Sequence, residues 1–129
     1  MSSDEPNHDE VLAVNQAFYD AHEQRDLAAM GAVWQHGERA CCIHPGWPIL
    51  RGWELIEESW RRIFAGAGRN QFIITNEDIQ IEGDVAWVSL DENLVDGPVT
   101  GTVAATNVFV RTDDGWKMVL HQGSPVARS

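Results

Sequence analysis

Apolar residues in the early part of the chain return at helical spacing, and in the later part they alternate at strand spacing. Val11, Val14, Phe18 and Ala21 make one stripe. It predicts an amphipathic helix from about Asp9, leaving through the polar Glu23-Gln24-Arg25. Asp26 is a good N-cap, and Leu27, Met30, Val33 and Trp34 form a second stripe that His36-Gly37 closes. Glu38 to His44 reads as a short strand, broken by Pro45, Gly46 and Pro48. A third helix is predicted from Trp53 to Ala65, with Trp53, Ile56, Trp60, Ile63 and Phe64 on one face. Glu57–Arg61 and Glu58–Arg62 are spaced to pair on another face, and Gly66 and Gly68 stop the helix.

From there the period changes to that of β structure. Strands are predicted over Phe72–Glu82 (bent near Asn76), Val85–Val95, Thr100–Arg111 and Trp116–Ser124. Gly83-Asp84, Asp96-Gly97-Pro98 and Thr112-Asp113-Asp114-Gly115 turn the chain between them. The order is α-α-β-α-β-β-β-β. Helices bunched early and strands bunched late imply an α+β domain, with helices covering one face of a curved, mostly antiparallel sheet. At 129 residues there is room for one domain. It is expected over 9–129, after a disordered, acidic lead-in at 1–8.

The formal net charge of −11 argues against nucleic acid and anionic membranes as partners. No apolar run is long enough to span a membrane, and the acidic start is not a secretory signal. Cys41 and Cys42 are adjacent, so on a strand they point to opposite faces and do not bridge readily. A cytoplasmic location is the simplest expectation. The five histidines show no metal spacing, so neither metal nor cofactor is expected. Six tryptophans bring a large apolar area, some of it suited to a flat organic ligand.

The most informative stretch is Cys42-Ile43-His44-Pro45-Gly46-Trp47-Pro48, where a strand ends on an ionisable group beside a helix carrying Trp53, Trp60 and Phe64. With Phe18-Tyr19-Asp20, Arg25-Asp26-Leu27, Ser59-Trp60-Arg61-Arg62-Ile63-Phe64 and Asp114-Gly115-Trp116-Lys117-Met118-Val119 in this order, the chain resembles the NTF2-like superfamily. The nearest flavour is that of SnoaL-like and ketosteroid isomerase-like small proteins. The resemblance implies a cone-shaped α+β barrel with three N-terminal helices, one internal pocket, and a homodimer through the outer face of the sheet. It does not imply one reaction, because this fold hosts isomerases, dehydratases, cyclases and plain binders.

His44-Pro45 falls where ketosteroid isomerases carry Asp-Pro, so the resemblance makes His44 the candidate base. The isomerase tyrosine maps to Phe18 and its protonated acid to Asn107, which leaves the oxyanion hole half present at best. In SnoaL-like relatives the last strand resembles Trp-x-x-x-His-x-His; those two histidine places are Leu120 and Gln122 here, and if they point into the cone, His121 between them points out.

The candidate site is therefore His44 as catalytic residue, with Phe18, Tyr19, Trp47, Trp60, Asn107 and Gln122 contacting the ligand. Trp53, Trp87 and Trp116 are expected in the core, and His8, His22 and His36 in solvent. One of Asp91 and Glu92 faces inward; strand alternation alone does not say which. Three functions compete. One is a cofactor-free isomerase, dehydratase or cyclase acting on a small, hydrophobic, cyclic carbonyl compound. The others are a binding module without turnover and a dimerisation domain.

Overall fold

The computed structural model describes residues 5–66, 68, 71–95 and 100–127. The helical stripes become α1 (Glu5–Gln24), α2 (Leu27–Val33) and α3 (Trp53–Ala65). Helix α1 starts ahead of Asp9, so residues 5–8 are helical rather than part of the lead-in. Pro6 does not prevent this, because a first-turn residue has no intrahelical N–H bond to lose. Asp26 caps α2 by accepting from the Ala29 N–H at 3.0 Å. Gly52, at φ 89°, opens α3 in a backbone conformation that a side chain would strain. Arg25 donates to the carbonyls of Phe64 and Gly66, which satisfies the last turn of α3 and ties it to α1. On the exposed face of α3, Arg61 approaches Glu57 at 4.0 Å and Glu58 at 3.4 Å. Glu58 thus turns to Arg61 and not to Arg62.

The strands are β1 (Cys41–Ile43), β2 (Leu50–Arg51), β3 (Gln71–Glu82), β4 (Val85–Val95), β5 (Gly101–Thr112) and β6 (Gly115–Pro125). They form one sheet in the order β2-β1-β6-β5-β4-β3, antiparallel except where β1 runs parallel to β6. The strand expected over Glu38–His44 shortens to β1. Residues just before β1 serve α3 instead: Gly37 O accepts from Trp53 N at 3.1 Å and Ala40 O from Gly52 N at 2.8 Å. Strand β2 has two residues, too few for any periodicity to announce it. The turn expected at Asp96-Gly97-Pro98 lies outside the described residues.

Two bulges curve the sheet. One lies between Thr75 and Asp78 of β3, where Asn76 takes φ 57°. The other lies on β6 opposite the step from Val108 to Phe109. The helices cover one face and give the α+β, cone-like architecture. Near the β3–β4 and β5–β6 hairpins the cone is filled: Met30, Val33, Trp34, Ala86, Phe109, Trp116 and Met118 are all buried. Trp87 is not in that core. Strand β4 buries its even positions Ala86, Val88, Leu90 and Glu92, so Trp87 points outward and is 39% exposed. Trp53 is half-buried and stacks on His36, with ring centroids 4.4 Å apart.

Candidate functional site

The opposite end of the cone is hollow. A cavity of about 480 Å³ opens between the helices and the far ends of β4, β5 and β6. Almost every element contributes a side chain: His22 from α1, His44 from the end of β1, Trp60 from α3, Phe72 from β3, Glu92 from β4 and His121 from β6. Trp47 closes one rim. No Lys or Arg lines it among the described residues, and no three His, Cys, Asp or Glu converge there as a metal site. A second depression of about 590 Å³ lies around His36, Arg51 and Glu54, but those side chains are exposed to solvent. The hollow end is the place where ionisable groups are buried.

His44 is held by its local chain. Pro45 and Gly46 fill the middle of a turn closed by Trp47 N donating to His44 O at 2.8 Å, with Gly46 at φ 83°. Gly123 of β6 lets the turn lie close, because a Cβ there would stand 2.9 Å from Val103 Cγ1 and 3.2 Å from Pro45 Cγ. The ring has a fixed tautomer. Ser59 Oγ donates its proton to Ile56 O at 2.6 Å, so it accepts from His44 Nε2–H at 2.8 Å. Nδ1 of His44 is then the basic nitrogen. The ring meets Trp60 and Trp47 edge-on, at 4.7 and 4.8 Å between centroids.

Behind the cavity wall runs a buried polar network. Tyr19 Oη donates to Glu92 Oε2 at 2.6 Å and accepts from Asn107 Nδ2 at 3.1 Å. Asn107 Nδ2 also donates to Asn15 Oδ1 at 2.9 Å, and Asn107 Oδ1 accepts from His121 Nδ1–H at 2.6 Å. Asn15 passes the chain on to Glu77 Oε2 at 2.9 Å. Every member finds a partner, which is what burial of such groups demands. His121 is thereby fixed with Nδ1 protonated and Nε2 basic. The indole N–H of Trp60 has no protein partner among the described residues, but neither do those of Trp34 and Trp116, so this is not peculiar to the cavity.

Burial sets the electrostatics. It pushes His22 down to about 4. It does the same to His44, also to about 4, with His22 adding to the effect. His121 is held well below the ordinary histidine range by burial and then by His44 and His22. All three rings are neutral at pH 7. Burial lifts Glu92 to about 7, against the opposing hydrogen bond from Tyr19. Burial, and then Glu92, raise the Tyr19 hydroxyl far above its usual range, so it acts only as a neutral donor.

Of the residues named from sequence, the structure brings His44, Trp47 and Trp60 to the cavity. Phe18, Tyr19 and Asn107 are buried behind its wall; Phe18 packs on Trp60 and His121. Gln122 is turned away and donates to Ser124 Oγ at 2.6 Å. His121 occupies the inward place expected of Gln122, for a definite reason. Phe109 pairs with Met118 but Val108 pairs with Leu120, so Val119 is an extra residue that reverses the parity of β6. His22, expected in solvent, is drawn in by Phe72 and Trp60, at 4.6 and 5.1 Å between centroids. Glu92 and not Asp91 faces the cone. Ser59 and Asn15 had no signal beyond their places on the buried faces of α3 and α1.

A family model described as the SnoaL-like domain matches residues 11–128. The chain belongs to the SnoaL-like domain family. Among solved structures, this SnoaL-like domain is similar to a candidate dehydratase of the NTF2-like family from Streptomyces avermitilis. They share 35% identity over 95% of this chain and 99% of that one, with a TM-score of 0.86. It is also similar to a protein from Thiobacillus denitrificans assigned as a calcium/calmodulin-dependent protein kinase type II association domain. There the identity is 37% over 89% of this chain and 94% of that one, with a TM-score of 0.82. Among curated proteins it is 30% identical over 115 residues to the F-box protein SKIP8 of Arabidopsis thaliana. That match takes in 88% of this chain and 48% of the other, so the chain spans about half the length of that relative.

Proposed function

We propose that the hollow end of the cone binds a small, hydrophobic, carbonyl-bearing molecule. On this reading His44 acts on it as a base, without cofactor, in chemistry of the isomerase, dehydratase or cyclase type. The observation that carries the reading is a cavity of about 480 Å³ into which separate elements turn three neutral imidazoles and one carboxyl group. Buried polar groups cost stability, so a fold that retains several of them around a void has a use for them. The absence of Lys and Arg from the described lining favours a ligand without negative charge. The similarity to a candidate dehydratase supports an enzyme.

A binding module without turnover is the second reading. The low basicity of His44 favours it, since a base near pKa 4 is a weak proton acceptor at neutral pH. The similarity to an association domain supports self-assembly. Ile73, Val85 and Trp87 stand 56%, 38% and 39% exposed on the outer sheet face, and a homodimer through that face would cover them. The free thiols of Cys41 and Cys42 fit a reducing, cytoplasmic setting.

The deciding experiment takes wild type and His44→Ala through a panel of cyclic ketones, measuring turnover and melting temperature. A ligand bound only by the folded protein raises the melting temperature. Turnover that His44→Ala abolishes while ligand stabilisation remains supports the enzyme. Stabilisation without turnover in wild type supports the binding module.

A further inference from the structure

We propose that Glu92 is the cavity's proton donor to the carbonyl oxygen of the bound molecule, and that Tyr19 and Asn107 are the positioning residues that aim it. The proposal rests on the carbonyl-binding reading above and supplies the acid that reading lacks. Glu92 is 5% exposed and lines the cavity from β4. Its Oε2 accepts from Tyr19 at 2.6 Å. Its Oε1 has no protein partner among the described residues, so this oxygen is left to the cavity. Tyr19 cannot pivot, because Asn107 donates to it, and Asn107 is itself fixed by Asn15 and His121. A carboxyl group with one oxygen occupied as acceptor carries its proton on the other.

Among the described residues, the titratable groups that face Glu92 across the cavity are His22 from α1, His44 from the end of β1 and His121 from β6. All three are neutral, so none opposes or stabilises a carboxylate with a full charge. Burial holds Glu92 at about 7, which leaves both protonation states accessible near neutral pH. Acid and base are therefore supplied by different walls. His44 Nδ1 removes a proton from the carbon next to the carbonyl, and the C–H electron pair forms the C=C bond of an enol. The carbonyl oxygen takes the Glu92 proton as its π bond breaks. On return, the Glu92 carboxylate recovers that proton while the imidazolium delivers one to carbon. No other reactant is needed.

The test is hydrogen–deuterium exchange at the α-carbon of cyclohexanone, α-tetralone and β-decalone in D₂O, read by NMR, with binding of the same ketones followed by calorimetry. Wild type is expected to exchange them. Glu92→Gln, which keeps the shape and the acceptor oxygen for Tyr19, is expected to bind them as wild type does and to exchange about a hundredfold more slowly or worse. Tyr19→Phe removes a hydrogen bond to the carboxylate, so the alkaline limb of its pH–rate profile should move to higher pH. That shift tests the assignment even if Glu92→Gln does not fold, and a merely structural tyrosine would not move it. Exchange undiminished in Glu92→Gln, or an unmoved profile in Tyr19→Phe, overturns the role of Glu92 and leaves the carbonyl-binding reading intact. Ketones that bind to wild type but do not exchange also overturn it. Ketones that do not bind at all overturn the carbonyl-binding reading.

Discussion

The two ends of the cone are built from the same strands and finished differently. Toward the hairpins, Phe109, Met118, Trp34 and Met30 fill the space between sheet and helices. Toward the other end, the same β4, β5 and β6 present Glu92, Val103 and His121 to a void. The filled end gains from burying apolar area and from close contact. The hollow end forgoes that packing and carries desolvated titratable groups as well. The difference separates the packing that holds this molecule together from the end that the proposed function would use.

Breaking the filled end should have a large effect, confined to stability. Phe109→Ala is expected to cost about 3–5 kcal/mol in denaturant unfolding, the usual range for a buried aromatic. Trp47→Ala, at the rim of the hollow, should cost far less and act mainly on ketone affinity. A similar loss from both would erase the distinction between the ends.

Acid should strike the hollow end. Each histidine is less basic folded than unfolded, so its contribution is complete above about pH 6.5 and is lost as the pH falls toward 4 for His22 and His44. Each contributes a slope of about 1.4 kcal/mol per pH unit in that window. Glu92 acts in the opposite sense: raised from 4.5 to about 7, it stabilises the fold below pH 4.5 and loses that contribution as the pH rises through 7. Where the windows overlap, three histidines outweigh one carboxyl group. Stability should therefore fall from pH 6.5 to 5, and His22→Phe should flatten the fall. A flat profile in wild type would mean the rings are not desolvated.

Asn107→Leu tests the wall between the ends. It removes the partner of His121 Nδ1 and the donor to Asn15 and Tyr19, leaving buried groups unsatisfied at about 1–3 kcal/mol each. Gly123→Ala should be smaller, about 1–3 kcal/mol for overpacking against Val103 and Pro45. It should also weaken ketone binding by moving the His44 turn. Trp87→Ser, outside both ends, should change monomer stability by less than about 0.5 kcal/mol. Sedimentation should show whether it dissociates a dimer.

The fold was largely legible because its stripes are long. Helix α3 starts and ends where the Trp53–Ala65 pattern and its flanking glycines place it, and β4 spans the range its alternation predicts. The site was legible only where chemistry and chain-breaking residues coincide, as in His44-Pro45-Gly46. His121 was misassigned because period-two reasoning presumes an unbroken ladder, and Val119 is an extra residue that no side-chain pattern marks. His22 shares the polar surroundings of an exposed helix end, yet Phe72 arrives from fifty residues downstream to cover it. Asn107 was singled out by the family resemblance, but its partners lie on α1 and β6, beyond any local window.

Calorimetric titration of α-tetralone into wild type and Val103→Trp tests the central claim most directly. Val103 is 7% exposed and its side chain lines the hollow, so an indole there would occupy the void without touching the filled end. The account predicts binding to wild type and none to Val103→Trp, with a melting temperature no lower than that of the parent. Equal binding to both proteins, or none to wild type, would contradict it.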